Sequence, residues 1–141
     1  MRERFRVWET IVVHWGDMDA LGHVNNARYF TYCETARFRY FGEIGLAELG
    51  EGGRYGPVLA SASCNFRRQV HYPATLEVGT RTSRLGTTSF TMEYAIFLAG
   101  TEELAADGSA VVVWLDYQAG RSLPLPAVLR ERLGALDSPA D

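Results

Sequence analysis

Between Ala27 and Phe41 the apolar residues recur at helical spacing and take up most of the circumference. No other stretch constrains the fold as much, because a helix that is apolar nearly all round cannot lie on a surface and has to be enveloped. At about 100° per residue, Arg28, Thr31, Tyr32, Thr35 and Arg39 fall on one narrow polar stripe, while Tyr29, Phe30, Cys33, Ala36, Tyr40 and Phe41 cover the remainder. Arg37 projects from the middle of the apolar side, opposite Arg28. A lone guanidinium is costly there, and Glu34, one turn earlier, is the partner the spacing offers. The helix is predicted to begin after Asn25 or Asn26 as its cap and to stop at Gly42 as a C′ glycine.

On either side of this segment the period is two. Phe5, Val7, Ile11, Val13 and Trp15 alternate with Arg6, Trp8, Thr10 and His14, which predicts a first strand with one buried face. After a glycine-rich connection from Glu43 to Gly56, in which Leu46, Ala47 and Leu49 form a short packed turn, a second strand is expected. Its buried side is read as Val58, Ala60, Ala62, Cys64, Phe66 and Val70, and Tyr72-Pro73-Ala74 ends it. Leu76–Leu85 and Thr88–Leu98 form a hairpin around Gly86-Thr87, with Phe90, Met92, Tyr94, Ile96 and Leu98 on its buried face. A last strand covers Val111–Tyr117 and could begin as early as Leu104, with a bulge or turn at Asp107-Gly108. Val128, Leu129, Leu133 and Leu136 then predict a short C-terminal helix over about 126–136, with Pro126 in its first turn. One long helix among antiparallel strands implies a curved sheet packed around that helix, in the α+β class.

At 141 residues and 47% apolar content, the chain is expected to form one domain over 1–141. A net charge of −3 without clustered Lys and Arg argues against a nucleic-acid partner. No stretch approaches the ~20 apolar residues of a membrane span, and Arg6, Glu9 and Thr10 interrupt the start too early for a secretory signal. Cys33 and Cys64 are too few for a disulfide framework or a zinc site and read as buried free thiols. A cytoplasmic protein with no metal is the expectation.

The loop Trp15-Gly16-Asp17-Met18-Asp19-Ala20-Leu21-Gly22-His23-Val24-Asn25-Asn26, running into the helix as far as Glu34-Thr35-Ala36-Arg37, resembles the 4-hydroxybenzoyl-CoA thioesterase branch of the hotdog superfamily. Val113-Trp114-Leu115-Asp116 and Gly120–Pro126 are similar to the last strand and tail of such proteins, so the resemblance spans essentially the whole chain. It implies the hotdog fold, a curved antiparallel five-stranded sheet wrapped around a long central helix. It further implies a hydrolase that cleaves acyl-CoA thioesters to free acid and CoA, with no cofactor beyond the CoA of the substrate, working as a homodimer or homotetramer. The family's catalytic aspartate is the second acid of its Asp-x-Asp pair, which is Asp19 here, and Asp17 becomes an orienting residue. Gly22-His23-Val24-Asn25-Asn26 is similar to the form seen in bacterial acyl-CoA and plant acyl-carrier-protein thioesterases, so His23, Asn25 and Asn26 are expected to face the thioester. Leu21 departs from the asparagine of the plant enzymes, and their polar constellation around the histidine is not reproduced.

Thioester hydrolysis needs a nucleophile or base and donors for the developing oxyanion. A helix starting near Asn25 or Asn26 leaves its first N–H groups free beside the loop that carries Asp19. Asp19 is therefore expected either to add to the carbonyl, giving a mixed anhydride, or to activate water, with His23 and Asn26 completing the catalytic set. Asp17, Asn25 and Tyr29 are expected to contact substrate. Each has a structural competitor: Asx turns for the two aspartates, loop hydrogen bonding for His23, and helix capping for the asparagines. His14 and His71 are read as structural. Glu34 is the rival nucleophile, since another hotdog branch uses an acid on the central helix, but pairing with Arg37 makes it the poorer base. Tyr29, Phe30, Tyr32 and Phe38 are candidates for an acyl tunnel. Arg67, Arg68, Arg81, Arg84 and Arg121 could meet CoA phosphates, with the Asn65–Gln69 or Arg84–Ser89 regions supplied by a partner protomer. The alternatives are a hotdog hydratase or dehydratase of acyl thioesters and a non-catalytic acyl-CoA sensor. Acyl-chain specificity, and CoA against acyl-carrier protein, stay open.

Overall fold

The computed structural model describes residues 1–140. Five long strands, β1 (Val7–Val12), β2 (Tyr55–Phe66), β3 (Thr75–Leu85), β4 (Ser89–Leu98) and β5 (Leu104–Asp116), form one antiparallel sheet in the order β1-β3-β4-β5-β2. A two-residue β6 (Arg121–Ser122) pairs with the end of β5. Register shifts at Leu59/Ser61 in β2, Thr82/Arg84 in β3 and Ile96/Phe97 in β4 add the local bends that curl a sheet. Helix α1 (Asn26–Glu43) joins β1 to β2 across the sheet and packs on β1, β2 and β3, while α2 (Ala127–Asp137) packs on β3. This is the hotdog arrangement. No helix among the described residues is long and apolar enough to cross a membrane.

The period-two readings of β3 and β4 hold, because Leu76, Val78, Phe90, Met92, Tyr94 and Ile96 all face the core with Val112 and Trp114 of β5. β5 runs unbroken from Leu104, and Gly108 pairs within it rather than turning. A methyl at Gly108 would stand 2.3 Å from the Ser63 carbonyl oxygen, so glycine is what lets β2 and β5 approach at that point.

Five expectations are corrected. Helix α1 is docked by one side: Tyr29, Tyr32, Cys33, Ala36, Arg37, Tyr40 and Phe41 are buried, whereas Phe30 and Phe38 are 41% and 62% exposed. Tyr32, placed on the polar stripe from its hydroxyl, is buried because that hydroxyl has a carboxylate partner. The helix does not stop at Gly42 but continues to Glu43, and the left-handed glycine that ends it is Gly45, at φ +63°. In β2, whose outer edge has no neighbouring strand among the described residues, Val58, Ala60, Ala62 and Phe66 are exposed despite their alternation, and Cys64 is only half-buried. Trp15, read as inward, is 73% exposed where the chain leaves β1.

Candidate active site

The segment between β1 and α1 is shaped by its own backbone. A single 3-10 turn covers Trp15–Asp17, a bridge joins Met18 to Val24, and the Asp19 N–H donates to the His23 carbonyl at 3.0 Å. The tight return between them needs a positive φ, which Gly22 supplies at +85°. The Val24 N–H donates to the Val70 carbonyl at 2.8 Å, and this stitches the loop to the chain beyond β2.

Asp17 is the anchor of this loop. Its carboxylate is buried, accepts the His14 N–H at 3.0 Å and the Tyr32 hydroxyl at 2.8 Å, and lies 3.6 Å from the Arg28 guanidinium. Burial alone pushes its pKa up, but the His14 amide, the Tyr32 hydroxyl and Arg28 together outweigh that and hold it below the ordinary aspartate value. The same contact, with burial the larger cause, pushes the Tyr32 phenol well up. The Asp17 carbonyl accepts the Asn25 N–H at 2.9 Å, so this residue also fixes where α1 begins.

Asn25 is the N-cap: its side-chain oxygen accepts the Ala27 N–H at 2.9 Å, and its carbonyl accepts the Arg28 N–H at 2.9 Å. The Asn26 N–H makes no hydrogen bond among the described residues and stands at the positive end of an 18-residue helix. Asp19 is half-buried beside it, with one carboxylate oxygen accepting the Leu21 N–H at 2.8 Å in an Asx turn. Its second oxygen is unbonded among the described residues.

Asp19, His23, Asn26 and Tyr29 line one cleft of about 480 Å³, together with Leu21, Val24 and the stretch Phe66–Gln69. Four of the six residues singled out from the sequence therefore meet. The other two do not line it: the Asp17 carboxylate is turned into its own buried hydrogen bonds, and the Asn25 side chain is occupied by the cap. His23 is half-buried with no side-chain hydrogen bond among the described residues, its ring 6.2 Å from that of His71. His71 holds the Gly22 carbonyl at 3.0 Å through Nδ1, a structural role. Tyr29 packs edge to face on Phe66, with ring centres 5.2 Å apart.

Phe66, Arg67, Arg68 and Gln69 were read as a region for a partner protomer to supply, yet they stand on the wall of this chain's own cleft. The cause lies in the topology: the Arg67 and Arg68 N–H groups both donate to the Ala105 carbonyl, which seats the end of β2 over the start of β5 and beside the loop. Arg67 pairs with Asp107 at 3.2 Å and Arg68 with Glu103 at 2.8 Å. The pairing expected between Arg37 and Glu34 forms at 4.0 Å on the exposed side of the guanidinium, and Arg37 Nη1 also donates to the Tyr94 hydroxyl at 3.1 Å. Both cysteines are free, and burial pushes the Cys33 thiol up to about 12 and that of Cys64 to about 11. Among the described residues no three His, Cys, Asp or Glu side chains are grouped to hold a metal ion.

Residues 13–133 match the family model of the Thioesterase-like superfamily. A thioesterase from Thermus thermophilus, whose crystal structure is a complex with coenzyme A and zinc, superposes with a TM-score of 0.83 at 40% identity over 96% of this chain and 97% of that one. The PA5185 protein of Pseudomonas aeruginosa strain PAO1 superposes with a TM-score of 0.86 at 36% identity, over 99% and 97% of the two chains. In sequence, the long-chain acyl-CoA thioesterase FadM of Escherichia coli (strain K12) is 26% identical over 116 residues, 82% of this chain and 88% of that protein.

Proposed function

The chain belongs to the Thioesterase-like superfamily, and from that premise we propose that this thioesterase hydrolyses acyl-CoA thioesters through Asp19, with the Asn26 N–H receiving the oxyanion. The observation that carries the proposal is one juxtaposition: a carboxylate with a free oxygen and an unbonded helix-terminal N–H line the same cleft. Both partners are immobilised from behind, Asp19 by the Leu21 amide and Asn26 by the Asn25 cap and the Asp17 anchor. Such preorganisation lets charge develop on the carbonyl oxygen without reorganising the site.

Two routes balance. The free Asp19 oxygen adds to the thioester carbonyl, the C–S bond breaks to release CoA thiolate, and water hydrolyses the mixed anhydride to acid and aspartate. Alternatively Asp19 takes a proton from water, hydroxide adds, and the thiolate leaves with that proton returned. A thiolate leaves readily, so no strong general acid is needed. His23 flanks the carbonyl, Tyr29 and Phe66 give the acyl group an apolar wall, and Arg67 and Arg68 lie at the rim, where cations suit the CoA phosphates. FadM acts on long-chain acyl-CoA and the Thermus enzyme binds coenzyme A, which supports CoA as a handle here.

The open edge of β2 and the exposed Phe30 and Phe38 of α1 support a homodimer or homotetramer, and the working compartment proposed is the cytoplasm. The test is thiol release from a panel of acyl-CoAs, followed with a thiol-trapping reagent, alongside loss of enoyl absorbance. Wild type is expected to release thiol, and Asp19→Asn to lose nearly all turnover while keeping its circular dichroism. Unchanged turnover in Asp19→Asn refutes the role of Asp19 and moves attention to Glu34. Hydration without thiol release refutes the hydrolytic reading.

A further inference from the structure

A buried tyrosine usually finds a partner for its hydroxyl, because a stranded polar tip is costly. This chain buries Tyr29, Tyr32, Tyr40 and Tyr94. Tyr32 donates to Asp17, Tyr40 donates to Asp137, and Tyr94 accepts from Arg37. Tyr29 is buried to the same degree, at 3% exposed, yet its hydroxyl makes no hydrogen bond among the described residues. Nor is that hydroxyl sealed, since Thr80 Oγ1 is the only side-chain polar atom among the described residues that is both sealed and unpartnered. Tyr29 stands on the wall of the Asp19 cleft, and its phenol tip opens there.

The ring that carries this hydroxyl is held on two sides. It packs edge to face on Phe66 and on Tyr32, with ring centres 5.2 and 5.9 Å away, and Tyr32 is itself tied to Asp17. Tyr29 follows Asn26 by three residues, about 4.5 Å along the axis at ~1.5 Å per residue, and a helical side chain covers the turn before its own Cα. The phenol therefore stands over the turn that begins with the Asn26 N–H, beside the place proposed for the thioester carbonyl. Burial holds it above its ordinary pKa, so it is protonated and can both donate and accept.

An alkyl chain drawn into the cleft takes water away from this hydroxyl and returns nothing. An acyl group with its own hydroxyl at that level restores the lost bond, and sites that hydrogen-bond a substrate hydroxyl discriminate far more strongly than apolar ones. We propose that Tyr29 determines acyl specificity through its hydroxyl, so that the preferred substrates carry a hydroxyl on one of the first carbons beyond the thioester, as 3-hydroxyacyl thioesters do. The inference rests on the thioesterase reading above. Asp19 on the same wall favours a neutral substituent there over an acidic one.

The test compares kcat/KM, by thiol release, for decanoyl-CoA, 3-hydroxydecanoyl-CoA and 10-hydroxydecanoyl-CoA. Wild type should favour 3-hydroxydecanoyl over decanoyl by about tenfold or more, the size of one hydrogen bond restored in a buried setting, and 10-hydroxydecanoyl should gain nothing. Tyr29→Phe removes the hydroxyl alone and breaks no hydrogen bond among the described residues, so it should bring the ratio close to unity with little change in the urea midpoint. A wild-type ratio within about twofold of unity, an equal gain for 10-hydroxydecanoyl, or an unchanged ratio in folded Tyr29→Phe overturns the inference. Should Tyr29→Phe not fold, inhibition of wild type by free 3-hydroxydecanoate and decanoate decides: selective inhibition by the hydroxy acid supports the site and equal inhibition overturns it. Thiol release from all three substrates without preference refutes only this inference, whereas no thiol release from these or from the wider acyl-CoA panel refutes the thioesterase reading beneath it.

Discussion

Replacing Asp17 by Asn probes the anchor beneath the active-site loop without changing its shape. The carboxylate accepts two hydrogen bonds in a buried setting, from the Tyr32 hydroxyl at 2.8 Å and the His14 N–H at 3.0 Å. A hydrogen bond to a charged group contributes about 1 kcal/mol more than a neutral one, so losing the charge should cost about 2 kcal/mol. Arg28, 3.6 Å away and half-exposed, adds little. Asp17→Ala removes the acceptor altogether and strands both donors, at about 4 kcal/mol. In a chain of this size Tm falls by about 3–5 °C per kcal/mol, so both changes are easily resolved by circular dichroism or urea titration. The pH dependence gives a second reading. Because the folded pKa of Asp17 is depressed, its contribution is fully present above the unfolded value near ~3.9 and is lost as pH falls through the folded one. Wild-type and Asp17→Asn stability should therefore differ at pH 7 and converge below about pH 4. A cost under about 0.5 kcal/mol at pH 7, or curves that stay parallel into acid, would refute the anchoring role.

The helix end offers a paired test by urea unfolding. Gly42 lies inside α1 with open space around it, so Gly42→Ala should stabilise by about 0.5–1 kcal/mol. Gly45, at φ +63° and with a prospective methyl 2.9 Å from Arg132 Nη1, should lose about 1–2 kcal/mol as Ala. Asn25→Ala removes the N-cap of α1 and should cost about 1 kcal/mol by the same measurement, with a fall in kcat because the Asn26 N–H is no longer held in place. Gly108→Ala drives a methyl against the Ser63 carbonyl and should cost about 1–3 kcal/mol, with loss of activity as the end of β2 shifts. Cys33 and Cys64, whose thiols burial pushes up to about 12 and about 11, should resist alkylation at pH 8 in the native protein and react in denaturant, as mass spectrometry would show.

Alternation made β3, β4 and β5 legible in the sequence because both flanks of each are paired and one face meets the core. β2 carries the same alternation but lies on an open edge, so its pattern did not translate into burial within this chain. The start of α1 was readable from Asn25 and Asn26, since capping is local chemistry. Its end was misplaced because Gly42 and Gly45 look alike until the backbone decides which is left-handed. Asp19, His23, Asn26 and Tyr29 could be gathered from one contiguous motif. Phe66–Gln69 could not be assigned to the same wall, because their position depends on β2 pairing with β5 across most of the chain. Arg37 was recognised as needing a partner, but Tyr94 is remote in sequence and only the packing of β4 against α1 brings it close.

The strand order β1-β3-β4-β5-β2 also bears on how the site is built in time. β3, β4 and β5 are joined by short turns and close cheap loops, whereas β2 finds β5 across at least the span from Phe66 to Ala106, a closure that costs about 2 kcal/mol more chain entropy. The wall of the cleft that runs from Phe66 to Gln69 therefore belongs to a late-arriving edge, bonded on one side only. Hydrogen exchange should find β2 amides the quicker to open and those of β4 the slowest, so that mild denaturant dismantles the cleft while the central strands still stand.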